Sequence, residues 1–143
     1  MPQGTKNQVI ANCGMHHVAV QAKDWGESLK LYQDVLGMEI VAEFGAPDRK
    51  IILLDMGDGS HIELFQPTAD TPPAGTPPPD NQPVFHIALA TSDTKGATEH
   101  VRSAGYKVTV EPKTVQLGQL TVTISFFEGP AGEILEFFQV HDE

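Results

Sequence analysis

Two stretches of this chain run through the same features in the same order. "HVAVQAKDW" from His17 and "HIALATSDT" from His86 are both apolar strand patterns entered by histidine and left through aspartate. Each leads into a segment with helix punctuation. In the first, Asp24 stands at the N-cap, Glu27 at the capping-box position and Gly37 at the stop; in the second, Ser92 or Asp93 is the cap and Gly105 the stop. Leu29, Tyr32, Val35 and Leu36 fall on one face of the first helix. Gly96 and Thr98 lie inside the second and weaken it. Next come "MEIVAEF" and "YKVTVEP", then "KIILLDMG" and "LTVTISFFEG". After turns around Asp58-Gly59 and Gly129-Pro130, the series closes on "HIELFQ" and "EILEFFQ". His17 to Gly37 is 20 residues and His86 to Gly105 is 19; His17 to Glu63 is 46 and His86 to Glu136 is 50. An ordered series of this length implies a duplication. The expected fold is α+β, two tandem βαβββ modules forming a curved mixed sheet around a cleft.

The boundary between the halves is compositional. "PTADTPPAGTPPPDNQP", residues 67–83, holds seven of the eleven prolines and almost no bulky apolar side chains. It can continue neither a helix nor a central strand, so it reads as an extended linker. The 143 residues are then one domain, 1–143, with module one at about 15–67, the linker at 68–82 and module two at about 83–140. A segment "PKTVQLGQ", 112–119, reads as a solvated loop in which Lys113 or Gln116 could reach a substrate.

Charge and composition narrow the partners. A formal charge of −10, with Lys and Arg scattered, argues against nucleic acid or an anionic membrane surface. No apolar run approaches the ~20 residues that span a bilayer, and "MPQGTKNQVIANCG" lacks the layout of a signal peptide. Cys13 is the single cysteine, which fits a reducing compartment. A cytoplasmic protein acting on a small molecule is expected.

Glu63 and Glu136 stand out because both sit between bulky apolar residues of strand-like segments, in "SHIELFQP" and "EILEFFQV". A carboxylate there is costly unless something charged or hydrogen-bonding compensates. Alternation puts Glu63 on a face with His61 and Phe65, and Glu136 on a face with Ile134 and Phe138. Similar modules tend to pack about a pseudo-two-fold axis, which would turn His17, Glu63, His86 and Glu136 toward one cleft. Two imidazoles and two carboxylates suit a divalent Ni, Co, Zn, Fe or Mn ion with positions left open for substrate. Each histidine taken alone could instead be a hydrogen-bonded core residue, and Glu63 a solvated edge carboxylate. His16 competes with His17, but "HVAV" matches "HIAL"; His61 competes with Glu63, but only Glu63 shares the Glu-apolar-Phe-Gln setting of Glu136. His100 and His141 read as ordinary surface residues.

On these residues the chain resembles the vicinal oxygen chelate superfamily, over roughly 15–140. That superfamily includes glyoxalase I, bleomycin-resistance proteins, fosfomycin-resistance enzymes, methylmalonyl-CoA epimerase and extradiol dioxygenases. "HHVAVQAKDWGESLKLYQDVLGMEIV" resembles its opening strand, helix and Y-x-x-x-L-G helix end; "FHIALATSD" and "GPAGEILEFFQ" resemble the second-module counterparts. The resemblance implies metal ligands at His17, Glu63, His86 and Glu136, a set most like that of glyoxalase I (lactoylglutathione lyase). It implies a lyase or isomerase that works through a metal-stabilised enediolate, with Glu136, or else Glu63, as the base. A homodimer is expected. The alternatives within the resemblance are an epimerase of acyl thioesters, a dioxygenase using His17, His86 and Glu136, and a ligand-sequestering resistance protein. Two positions depart from glyoxalase I: Gln21 stands where arginine is common, and Pro67 where asparagine is. Phe85, before His86, departs from the epimerase.

Overall fold

In the computed structural model, residues 4–11, 13–73, 75–76, 84–117 and 120–141 are described. The chain divides into two compact units, Gly4–Thr76 and Pro77–Glu143.

In the first unit, β1 (His17–Gln21) leads into α1 (Trp25–Leu29), a π-helical stretch (Lys30–Val35), β2 (Glu39–Ala46), β3 (Arg49–Asp55) and β4 (His61–Phe65). The Asp24 carboxylate accepts from the Glu27 amide at 3.0 Å, as an N-cap should. The helix then widens: the Leu36 amide donates to the Leu31 carbonyl, five residues back, at 2.8 Å. Gly37, at φ 72°, releases the chain, and the Met38 amide closes on the Tyr32 carbonyl at 2.9 Å. Leu31 and Tyr32 are both buried, so the buried stripe includes Leu31, which the expected face of Leu29, Tyr32, Val35 and Leu36 omits.

The sheet order is β1-β4-β3-β2, with β1 parallel to β4 and the other pairs antiparallel. Ile52, Leu54, Ile62, Leu64 and Val20 are buried on one face. The period of two therefore places Ile51, Leu53, Glu63, Phe65, Ala19 and Gln21 on the other. At Gly45 (φ 95°) a side chain would collide with the Arg49 carbonyl, which fixes the tight β2–β3 turn.

The second unit repeats the order: β5 (Ile87–Ala90), α2 (Thr94–Ser103), β6 (Val108–Leu117), β7 (Leu120–Glu128) and β8 (Ile134–Val140). Its sheet runs β5-β8-β7-β6, again with one parallel pair. The fold is α+β, two four-stranded mixed sheets with few helices. Asp93 caps α2 by accepting from the Gly96 amide at 3.0 Å, and Gly105 (φ 96°) ends it. The residue that weakens α2 by propensity, Thr98, is buried. Its hydroxyl donates to the Thr94 carbonyl at 2.6 Å and lies 2.8 Å from the Ser125 hydroxyl on β7. Phe127 and Phe137 stack at 5.2 Å between ring centroids, and Leu135, Val122 and Val101 are also buried in this unit.

The expected loop at 112–119 is a correction. Residues through Leu117 belong to β6, so Lys113 and Gln116 are strand residues, while 118 and 119 lie outside the described residues. Pro112 is tolerated because β6 is an edge strand whose register shifts between Val110 and Lys113, where no ladder hydrogen bond is asked of it. Of the Pro-rich stretch 68–82, residues 74 and 77–82 lie outside the described residues; before them, the Thr68 amide donates to the Thr71 hydroxyl at 2.9 Å. Among the described residues, no helix is long and apolar enough to cross a membrane.

Candidate functional site

Strand register places the first pair. β1 runs parallel to β4 with Ala19 opposite Glu63 and His17 opposite His61, and on the other side Leu53 of β3 faces Glu63. Glu63 therefore points away from the core formed by Ile62 and Leu64. His17, two residues before Ala19, brings Nε2 to 3.6 Å from Glu63 Oε1. Its ring is braced from behind: His16 Nδ1 and His17 Nδ1 are 2.8 Å apart, with the rings edge to face. His61 stacks obliquely on His16 at 4.9 Å and its Nδ1–H donates to the His16 carbonyl at 3.0 Å.

The second pair follows the same rule. Ala88 lies opposite Glu136 in the parallel β5–β8 ladder, and Phe126 of β7 faces Glu136 from the other side. His86, two residues before Ala88, brings Nε2 to 3.3 Å from Glu136 Oε1. It stands one residue before β5 rather than within it, because the ladder begins at Ile87. The His86 ring meets Phe126 edge to face at 5.3 Å. The histidines are alike in exposure, 39% and 40%, but the Glu63 side chain is 17% exposed and that of Glu136 only 8%. Burial pushes the Glu136 carboxyl above the usual carboxylate range, and the His86 imidazole partly opposes it.

Both pairs have the donor chemistry and spacing a divalent ion asks for. Two donors each about 2.0–2.1 Å from one tetrahedral ion stand roughly 3.3 Å apart, close to the 3.3 and 3.6 Å seen here. The structure thus brings His17 to Glu63 and His86 to Glu136, each within its own unit. Among the described residues, no group of three or more His, Cys, Asp or Glu side chains is gathered for a metal.

Two positions near the pairs, Arg49 and Phe126, escape sequence reading. Arg49 shares the Glu63 face of the first sheet, and its guanidinium lies 5.0 Å from the centre of the Phe65 ring. Alternation along "RKIILLD" carries that signal, but only once β3 is known to pair with β4. Phe126 needs the β7–β8 register in the same way. His141 and His100 are both exposed, as expected, and His141 Nε2 lies 2.6 Å from the hydroxyl of buried Thr123.

The comparisons with known proteins bear on family and fold. The profile of the Glyoxalase/Bleomycin resistance protein/Dioxygenase superfamily matches residues 14–137. A lactoylglutathione lyase of Haemophilus influenzae is 33% identical over 129 residues, covering 86% of this chain and 90% of that protein. A probable lactoylglutathione lyase of Synechocystis is 31% identical over 126 residues, covering 86% of this chain and 92% of that protein. The crystal structure of a glyoxalase family protein from Enterococcus faecalis superposes with a TM-score of 0.70 at 22% identity, over 87% of this chain and 96% of that one, a likeness of fold.

Proposed function

Because the chain belongs to the glyoxalase, bleomycin resistance protein and dioxygenase superfamily, we propose that it is a divalent-metal-dependent lyase or isomerase of the glyoxalase I type. Its substrate is a small α-oxygenated carbonyl compound or the adduct of one with a thiol. The observation that carries this reading is the repeated register: a histidine two residues before an alanine, and that alanine opposite a glutamate, in both sheets. The relatives named lactoylglutathione lyase support it.

His17, Glu63, His86 and Glu136 would hold the ion. When bound, the cation supplies positive charge for the oxygen that becomes anionic as a proton leaves the neighbouring carbon. The chain's own contribution is the proton. Glu136 is the better base of the two glutamates, because burial raises its carboxyl toward the range where accepting and returning a proton are both easy. It takes the proton from the carbon bearing the hydroxyl and returns it to the adjacent carbonyl carbon, while the hydroxyl proton passes to the former carbonyl oxygen, so the substrate's formula is unchanged. The histidines, braced by His16 and Phe126, keep Nε2 aimed at the carboxylates. The proposed assembly is a homodimer in the cytoplasm.

Elemental analysis of protein purified without added metal or chelator, followed by assay with methylglyoxal and glutathione, tests this. About one divalent ion per chain is expected on this donor set, together with turnover that a chelator removes. Metal-containing protein without turnover of the hemithioacetal, but with exchange of the α-proton of an acyl thioester, would transfer the site to the epimerase reading. Protein that binds ligands fully without metal would end the enzyme reading.

A further inference from the structure

We infer that Arg49 is the receptor for an anionic end of the substrate, and that the anion is a carboxylate. The inference rests on the reading of the Glu63 face as the substrate face. Arg49, Ile51 and Leu53 alternate onto that face; Leu53 pairs with Glu63 and Ile51 with Phe65. The guanidinium lies over the Phe65 ring, 5.0 Å from its centre, and Nη2 donates to Gln21 Oε1 at 3.3 Å. Gln21 is itself fixed. Its amide nitrogen donates to the carbonyls of Ala22, Phe65 and Gln66 at 2.9, 3.2 and 3.4 Å, which leaves the amide oxygen turned to Arg49. The guanidinium is therefore held in place by stacking and one hydrogen bond before any ligand arrives.

Its charge is unspent. Lys50, the next residue, alternates to the opposite face and pairs with Glu43 at 2.7 Å. Arg49 has no ion-pair partner among the described residues. A guanidinium carries five N–H donors in a planar fork, and one bond to Gln21 leaves enough of that fork for a planar carboxylate. A chain of net charge −10 repels anionic substrates at large, so a fixed cation on one face selects where an anion can settle. Phe65 is two residues beyond Glu63 on β4, roughly 7 Å along the strand. A carboxylate at Arg49 would thus sit a few bonds from the reacting carbon, within one small thiol adduct.

The test uses the full chain carrying its metal and two probes that differ in one group: 3-(acetonylthio)propanoate and the corresponding carboxamide. Calorimetry should show the carboxylate bound on the order of tenfold to a hundredfold more tightly than the amide, the range for a hydrogen-bonded charge. Arg49→Ala should abolish that preference while leaving metal content and amide affinity unchanged. Arg49→Lys keeps the charge without the fork or the stacking and should retain part of it. Gln21→Leu, which frees the guanidinium, should weaken carboxylate binding and spare the amide. A wild-type chain without the preference, or a preference that survives Arg49→Ala, overturns the proposal. If the preference depends on Arg49 but methylglyoxal hemithioacetals are not turned over, the lyase reading falls and the carboxylate receptor stands.

Discussion

His17 meets Glu63 at 3.6 Å and His86 meets Glu136 at 3.3 Å from the same register, yet the surroundings of the two pairs are opposite in kind. The first pair is backed by other imidazoles, His16 and through it His61, and its glutamate keeps some contact with water. Phe126 backs the second pair, whose glutamate is buried and held above its ordinary range. Duplication fixed where the side chains point. Divergence of their neighbours then buried one carboxylate more deeply than the other, and two carboxylates in different surroundings can take different roles.

The sharpest way to break this comparison is to neutralise each glutamate in turn. Glu136→Gln should lower kcat by about 10²–10⁴-fold, the usual contribution of a positioned base, measured with saturating hemithioacetal and metal content checked in the same sample. Glu63→Gln should act first on metal retention and recover much of its activity in excess metal. If the two variants behave alike, the difference in burial has no catalytic meaning.

The braces come next. For His17 to offer a lone pair at Nε2, its Nδ1 must carry the proton and donate to His16 Nδ1, so His16 sets both the tautomer and the ring orientation. His16→Ala should weaken metal binding by about 10–100-fold, as loss of such a partner commonly does, read by competition with a chromogenic chelator. Phe126→Leu keeps an apolar brace at His86 and should cost much less. Equal losses would mean that packing alone, not the imidazole pair, orients both rings.

Much of this arrangement is legible in the bare chain, for particular reasons. Asp24 and Asp93 are caps because a carboxylate three residues before a free amide meets it wherever a helix starts, and both bonds are present. His–Glu pairing is legible because two unrelated-looking strands repeat it. The widened turn at Lys30–Val35 is not, since one turn of five-residue hydrogen bonds is too short to leave a period in the sequence. Pro112 reads as a breaker until the bulge at Val110–Lys113 removes the demand for its missing N–H. Arg49 and Phe126 escape for a common cause. Their partners lie on other strands, and cross-strand register is not a local property of a sequence.

Burial of polar groups separates the two units again. In the second, Thr94, Thr98, Thr123 and Ser125 are buried and bonded, with Thr94 Oγ1 donating to the Thr123 carbonyl at 3.1 Å. In the first, Ser28 is buried and its hydroxyl has no partner among the described residues. Thr98→Val should therefore destabilise by about 1–3 kcal/mol, because Ser125 loses its partner, whereas Ser28→Ala should be neutral or slightly stabilising. Urea unfolding of the two variants reads the difference, and losses of the same sign and size would remove it.

The smallest effect expected is the pH dependence of stability in the metal-free chain. Burial raises the Glu136 carboxyl in the folded state, so on raising the pH the unfolded chain releases that proton first. Its contribution is fully present below the ordinary glutamate range and is lost as the pH rises through the raised folded value. The melting temperature of metal-free protein should fall across that window. Glu136→Gln cannot ionise and should flatten the fall. Added divalent metal should flatten it as well, since a cation beside the carboxylate offsets the cost of its charge. A slope that persists in Glu136→Gln would place the buried charge elsewhere and leave the two pairs electrostatically equivalent.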